Sequence, residues 1–203
     1  IYKAWLQIIG DGNISKARGI LKEAARRVDL SQNRYYWWLL RVIEPDLHKA
    51  LTMIAPGPDT IAYYLQKAQF NRLLGDFRKE STYADSALTM LKQQLPERND
   101  DPRLQSYLGL AYAGLRRQDS AFMHGEAAVK LLPISQEAFD APFWIVNLAE
   151  IMVIFGENDA AVGQLEYLLS IPGFVSPVYL RIDPLWKGLE SNAGFQRLLD
   201  TTK

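Results

Sequence analysis

The stretch Leu108-Gly109-Leu110-Ala111-Tyr112, followed by Ala121, Ala128 and Pro133, decides the fold of this chain. Gly109 lets a second helix approach the first, and Tyr112 fills the space beside it. Ala121 and Ala128 are seven residues apart and therefore lie on one face of the second helix, where close packing needs small side chains. Pro133 ends that helix. The stretch predicts a helix–turn–helix unit over residues 101–133.

The same order and spacing resemble the tetratricopeptide repeat (TPR), a helix–turn–helix unit of about 34 residues. Two positions depart from the repeat, since Gln105 stands where a Trp is usual and Gly125 where an aromatic residue is usual. A single unit of this kind cannot bury its own apolar face, so the resemblance implies a stack of neighbouring units. Such stacks usually serve as binding scaffolds.

Further copies of the unit lie on both sides of it. Turn motifs at Gly156-Glu157-Asn158, Gly75-Asp76-Phe77 and Gly12-Asn13-Ile14 open three of them, and Pro45-Asp46-Leu47 opens a shorter one. No long period-two alternation predicts a strand. We predict a single all-α domain over residues 1–203, a TPR-like right-handed superhelix of about five helix–turn–helix units with a C-terminal capping helix. The predicted units span residues 1–29, 30–57, 59–94, 101–133 and 141–172, and the cap spans residues 180–203.

Several longer sequence segments are similar to the TPR tails of a group of bacterial signalling proteins. They include residues 108–115, residues 128–133 and the C-terminal segment Leu180-Arg181-Ile182-Asp183-Pro184-Leu185-Trp186. In that group the tail follows a protein kinase, a nucleotide cyclase or a winged-helix DNA-binding domain. The resemblance implies a regulatory or interaction module. Because the chain begins at Ile1 rather than Met, we expect it to be the C-terminal part of a larger protein.

Composition excludes several classes of protein. The chain of 203 residues has a net charge of zero, which argues against a nucleic-acid partner. The charge is unevenly distributed, since residues 1–100 carry +4 and residues 101–203 carry −4. The absence of Cys removes disulfides, thiolate zinc sites and Cys nucleophiles. Every apolar stretch is far shorter than the roughly 20 residues that cross a bilayer, so we expect no membrane span. The compartment stays open between the cytoplasm, which we favour, and the periplasm.

Signatures of catalysis are missing from the sequence. It has no phosphate-cradling Gly-rich loop, no Gly-x-Ser-x-Gly and no His-Glu-x-x-His. The two histidines, His48 and His124, have no partner at the spacing of metal ligands, and we interpret both as surface residues. We therefore expect a chain that is not an enzyme and that holds no metal and no cofactor.

Repeat register predicts which side chains face the inner groove of the superhelix: Gln69, Arg72, Arg103, Tyr107, Phe143, Asn147 and Glu150. TPR proteins that bind acidic peptide C-termini present a Lys/Asn clamp, of which only Asn147 is present here, so we do not expect that ligand.

Between Lys130 and Arg181 the chain has six carboxylates and no Lys or Arg. We expect a protein or peptide partner, or another domain of the parent chain, that brings Lys or Arg to Glu150. The alternative is that these carboxylates only keep the C-terminal half soluble.

The run Tyr35-Tyr36-Trp37-Trp38 is unusual because it places aromatic side chains at four successive positions. Four successive helix positions point in all directions, so this helix is either sandwiched between neighbours or exposed as a contact patch. We favour the sandwich. If the patch is exposed, the chain is a self-associating structural domain, which is the alternative function. A weaker alternative is an RNA-binding repeat that uses the basic residues Lys16, Arg18, Lys22, Arg26 and Arg27, which we interpret as a solvated helix face.

Overall fold

The computed structural model describes residues 1–200, and the last three residues of the predicted cap lie outside the described residues. Helices account for all the regular structure of residues 1–200, which confirms the all-α prediction. The helices are α1 (Tyr2–Asp11), α2 (Ile14–Ala25), α3 (Arg34–Ile43), α4 (Leu47–Thr52), α5 (Thr60–Leu73), α6 (Phe77–Gln94), α7 (Pro102–Gly114), α8 (Gln118–Leu131), α9 (Ala141–Ile154), α10 (Asn158–Ser170), α11 (Pro177–Ile182), a 3₁₀ helix (Pro184–Leu189) and α12 (Ala193–Asp200).

The helices α1 to α10 form five successive pairs, and each pair falls within one of the five predicted units. Consecutive helices pack against each other within each pair. The longest connection between pairs is at residues 132–140. The connection at residues 95–101 is no longer than that at residues 53–59, so the wider spacing between the third and fourth units comes from the 18-residue helix α6. The chain is therefore a series of helical hairpins joined by loops of similar length.

Short polar side chains determine where many helices begin. Asp59 accepts a hydrogen bond from the backbone N–H of Ala62 at 3.0 Å, and Asp101 accepts two, from Arg103 at 2.9 Å and Leu104 at 3.1 Å. These bonds satisfy donors that have no partner inside the helix. Caps of this kind begin α2 to α7, from Asn13, Asn33, Asp46, Asp59, Asp76 and Asp101.

The close approach predicted at Gly109 is present between α7 and α8. A Cβ atom on Gly109 would lie 3.1 Å from the carbonyl oxygen of Ala121 and 2.9 Å from Cδ1 of Ile151 in α9. Ala121 is fully buried. The absence of a side chain at Gly109 thus brings three helices of two successive pairs into contact.

The C-terminal elements cover the last pair and also reach the first. Trp186, Phe195 and Leu198 are buried, and the 3₁₀ helix and α12 pack on α9 and α10. Helix α11 packs instead against α1, where the rings of Trp5 and Tyr179 lie 5.2 Å apart between centroids. The two ends of the described chain therefore contact each other, a feature that the sequence did not predict.

Gly109→Ala tests the close approach of these helices. The added Cβ meets backbone atoms of α8, so we expect a loss of about 1–3 kcal/mol in the free energy of unfolding. Gly163, within α10, is the matched control, because nothing lies within 4 Å of its Cβ position. There the same change should raise the free energy of unfolding by about 0.5–1 kcal/mol, since Ala is the better helix former. Equal effects of the two changes in urea unfolding would contradict the packing described.

Candidate functional site

A chain of buried polar side chains joins three helices in the centre of the molecule. Arg41 of α3 donates from Nη1 to Oε1 of Gln69 in α5 at 3.1 Å. Gln69 donates from Nε2 to both carboxylate oxygens of Glu150 in α9, at 2.9 and 2.8 Å. All three side chains are buried. These bonds connect side chains from the second, third and fifth helix pairs.

The chain of bonds continues beyond Glu150 towards α8. Arg72 donates to Glu150 and also to Glu80 in α6, at 3.3 Å for the second bond. Arg116 donates to the other carboxylate oxygen of Glu80 at 2.9 Å. Burial raises the pKa of Glu80, and the guanidinium groups of Arg72 and Arg116 oppose that rise.

At its other end this network closes on Asp183, which lies between α11 and the 3₁₀ helix. Arg41 binds Asp183 with two parallel bonds of 2.8 Å, and neither side chain is exposed to solvent. The hydroxyl of Tyr179 accepts from Arg41 at 2.9 Å and donates to Asp183. Burial is the largest single effect and works to lower the pKa of Arg41, but Asp183, Tyr179 and Glu150 together outweigh it, so the pKa lies above its ordinary value.

We call this set the central polar chain; its members are Asp183, Arg41, Gln69, Glu150, Arg72, Glu80 and Arg116. It contains three carboxylates and three guanidinium groups, so the charges balance. Buried charges are tolerated when they are paired and hydrogen-bonded. The balance allows so many ionised groups to lie in the centre of the molecule.

A small cavity of about 90 Å³ lies beside the central polar chain, between α3, α5, α7 and α9. It is much smaller than the roughly 300–1,000 Å³ of typical ligand pockets. Asn147 on its wall donates to Oγ of Ser106 at 2.9 Å. We call it the central cavity. Six of the seven predicted groove residues line it: Gln69, Arg72, Tyr107, Phe143, Asn147 and Glu150.

Two features of the structure bear on the expectations for this inner face. Gln69, Asn147 and Glu150 are buried rather than displayed in an open groove, because the two ends of the chain meet and the inner helices contact each other. Glu150 was expected to attract a basic partner. Its carboxylate is already bonded by Gln69 and Arg72, so it is neutralised within the molecule.

The aromatic run of α3 divides between core and surface. Tyr36 and Trp37 are buried, and Trp37 donates from its indole N–H to the carbonyl oxygen of Ser31 at 2.6 Å. Tyr35 and Trp38 are only partly buried. Their rings contact Phe143, with centroid separations of 6.1 and 5.0 Å. Packing between neighbouring helices therefore accounts for Tyr36 and Trp37, whereas Tyr35 and Trp38 line a surface feature.

That surface feature is an apolar groove of about 410 Å³, which we call the aromatic groove. None of the side chains that line it is charged. Tyr2, Leu6 and Phe139 on its walls are 58%, 60% and 56% exposed. The groove shares three residues with the central cavity: Tyr35, Trp38 and Phe143. Its lining comes from α1, α3, α9 and the segments before α9 and α11: Ile1, Tyr2, Trp5, Leu6, Ile9, Tyr35, Trp38, Ala138, Phe139, Pro142, Phe143, Gly173 and Phe174.

Arg103, the seventh predicted groove residue, lies elsewhere. It lines a separate pocket of about 350 Å³, together with Asp59 and Arg98, which we call the lateral pocket. Tyr107 is the connection, because it lines both the lateral pocket and the central cavity. Burial raises the pKa of Tyr107. Sequence reasoning placed Arg103 on one face with the other six groove residues, but of these six only Tyr107 lines the lateral pocket beside it.

Neither the two histidines nor the basic side chains of α2 belong to the central cavity or to the aromatic groove. His48 is exposed, whereas His124 is partly buried, lies 2.6 Å from Oε1 of Gln105 and stacks on Tyr112. Burial lowers the pKa of His124. Among residues 1–200, no group of three or more His, Asp or Glu side chains is arranged to hold a metal ion. The five basic side chains of α2 and the turn after it are exposed: Lys16, Arg18, Lys22, Arg26 and Arg27.

Comparison of the chain with protein-family models, with curated proteins and with solved structures gives no match. Within the described part of the chain, none of the helices has both the length and the apolar character that crossing a membrane requires. The geometry of the central cavity and of the aromatic groove is therefore the basis for a functional proposal.

Arg41→Met tests the central polar chain at its most buried pair. Loss of the guanidinium leaves the carboxylate of Asp183 buried without a counter-charge, so we expect a loss of about 3–5 kcal/mol in the free energy of unfolding. The double variant Arg41→Met/Asp183→Asn should recover part of that loss, because no unpaired charge remains.

Arg26→Met is the control for this prediction. It removes an exposed ion pair with Glu23, and such pairs contribute at most about 1 kcal/mol. A loss at Arg41 no larger than the loss at Arg26, measured by urea unfolding, would contradict the role given to the central polar chain.

Proposed function

We propose that this chain is a protein-interaction module. In this proposal its five helix pairs are TPR-like units of a superhelix, and the module binds a segment of a partner protein or of another domain of its parent chain. It acts by binding and not by catalysis. The resemblance of residues 108–115, 128–133 and 180–186 to the TPR tails of bacterial signalling proteins supports a regulatory role for the parent protein.

The observation that carries the proposal is the aromatic groove. Contiguous apolar surface on a water-soluble domain marks sites of interaction. Here Tyr2 and Leu6 from α1 face Phe139 from the loop before α9, and all three are more than half exposed. Between them lie the partly buried rings of Trp38 and Phe174, 5.8 Å apart between centroids. The groove thus offers rigid aromatic walls, which are typical of the centres of binding sites.

The lining of the groove indicates the chemistry of its partner. Because no charged side chain lines it, the segment that it binds should insert apolar side chains. A volume of about 410 Å³ accommodates two or three such side chains, not a whole helix. We therefore propose a short segment with closely spaced large apolar residues. This replaces the basic segment expected from the sequence, since Glu150 is neutralised internally.

Selection from a random 12-residue peptide library tests the proposal. We expect enriched peptides with two or more large apolar residues, and at least a tenfold loss of their affinity on Leu6→Arg, because the charge enters an apolar site. Leu6 is 60% exposed, so this change should leave thermal stability unchanged. Met123→Arg is the matched control, since Met123 is 59% exposed on α8 and does not line the groove. Selected peptides that bind both variants equally would refute this site.

Self-association is the second candidate function, because Tyr35 and Trp38 of the predicted contact patch line the groove. Sedimentation equilibrium separates it from the first candidate. A monomer at all concentrations supports binding of a different protein. A dimer that Leu6→Arg, but not Met123→Arg, converts to a stable monomer would establish a second copy of the chain as the occupant.

A further inference from the structure

The lateral pocket contains two side chains of opposite charge that are not paired. It is lined by Asp59, which precedes α5, and by Arg103, in the first turn of α7. Among residues 1–200, no ion pair within 4.0 Å joins either of them to an oppositely charged group. Arg98, the third charged side chain of the pocket, is paired with Asp101. The pocket therefore presents one carboxylate and one guanidinium that lack a counter-charge in direct contact.

Both of these side chains keep hydrogen-bonding capacity. Asp59 accepts the backbone N–H of Ala62 with Oδ1 at 3.0 Å, as the cap of α5. Because an ionised carboxylate has a second oxygen and further acceptor positions, the cap leaves Asp59 both its charge and a free oxygen. Arg103 donates its backbone N–H to Asp101, whereas its guanidinium donates to no group of the described residues. One acceptor and one set of charged donors are thus available to a ligand.

The two charges act on the same group, the hydroxyl of Tyr107, which also lines the lateral pocket. Burial has the largest effect on the pKa of Tyr107 and raises it; Asp59 raises it further, whereas Arg34 and Arg103 oppose the rise. Arg34 lines the central cavity and not the lateral pocket. Asp59 and Arg103 therefore lie near one side chain of one pocket without forming an ion pair.

The walls beside these charges are apolar. Ile61, Leu91 and Leu104 are buried, Met90 is partly buried, and all four line the pocket. They belong to the apolar cluster between α5, α6 and α7. The pocket volume of about 350 Å³ lies at the lower end of the roughly 300–1,000 Å³ typical of small-molecule sites. The pocket thus suits a small molecule with a compact aliphatic part.

We propose that the lateral pocket binds a free α-amino acid with an aliphatic side chain. The ammonium group of the ligand donates to Asp59, and its carboxylate accepts from the guanidinium of Arg103. The aliphatic side chain packs against the apolar walls of the pocket. Arginine suits the second contact because its planar fork matches the two oxygens of a carboxylate.

The need for both charges on the ligand follows from the cost of burial. A ligand that fills the pocket removes water from Asp59 and Arg103, and a charge removed from water must be paired. A neutral ligand would leave both charges unpaired, and a simple anion or cation would leave one. A zwitterion compensates both. Residues inside a peptide chain carry neither terminal charge, so a free amino acid fits this pocket better than a partner segment does.

Isothermal titration calorimetry of the whole chain tests the site with four probes. L-leucine has both charges, L-leucinamide lacks the carboxylate, and N-acetyl-L-leucine lacks the ammonium group. L-serine keeps both charges without the aliphatic side chain. We expect leucine to bind and each of the other three to bind at least tenfold more weakly, because each loses one charge-assisted contact or the apolar contact.

Two variants assign the contacts to their residues. Asp59→Asn should weaken leucine binding at least tenfold while α5 stays capped, since Asn is as good a cap as Asp. Arg103→Gln should weaken it by a similar factor. The affinity of N-acetyl-leucine should change less than twofold on Asp59→Asn, and that of leucinamide less than twofold on Arg103→Gln. The controls are Asp76→Asn, at the cap of α6, and Arg117→Gln, at an exposed arginine before α8; both should leave leucine binding unchanged.

Failure of this inference is distinguishable from failure of the proposed function, because the lateral pocket shares no lining residue with the aromatic groove. No binding of leucine, or leucine binding that either pocket variant leaves unchanged, would overturn the amino-acid site. Equal binding of leucine and N-acetyl-leucine, or of leucine and leucinamide, would overturn it as well. Loss of leucine binding on Leu6→Arg would place leucine in the groove, against the proposal. Peptides that bind the groove when leucine does not bind would leave the interaction module intact.

Discussion

The pairing of Arg41 with Asp183 is the constraint on which the rest of the structure depends. Both side chains are without solvent exposure, so each charge requires the other. The two residues lie 142 positions apart. Their pairing holds the C-terminal elements against α3, and α11 meets α1 in the same region. A stack of helix pairs that could have remained open is thereby closed end to end.

Closure limits the surfaces at which the proposed partner segment can bind. In an open superhelix the inner faces of α5, α7 and α9 would form a continuous groove. Here Gln69 and Glu150 bond to each other across that space, beside the small central cavity. The exposed apolar surface lies instead on the outer side of the Tyr35, Trp38 and Phe143 wall. Because Glu150 is bonded within the molecule by Gln69 and Arg72, it gives no reason to expect a basic partner.

Local patterns in the sequence were sufficient for the helix pairs and for much of the inner face. Gly109 and Ala121 are close in sequence, so their spacing alone predicts the contact between α7 and α8. Repeat register also placed Gln69 and Glu150 on inward faces. Their partners could not be predicted in the same way, because Arg41 and Asp183 come from distant parts of the chain and no local spacing relates them.

The walls of the aromatic groove were harder to predict than the core. Tyr35 and Trp38 belong to a run in which every position is aromatic, so the sequence could not separate the groove walls from the buried Trp37.

Nuclear Overhauser spectroscopy of the intact chain tests the central claim, closure of the two ends, most directly. The rings of Trp5 and Tyr179 lie 5.2 Å apart between centroids, although the residues come from α1 and α11. The account predicts cross-peaks between protons of the two rings. Cross-peaks from Trp5 to other residues of α1 and α3, with none to Tyr179, would contradict closure and with it the origin of the central cavity.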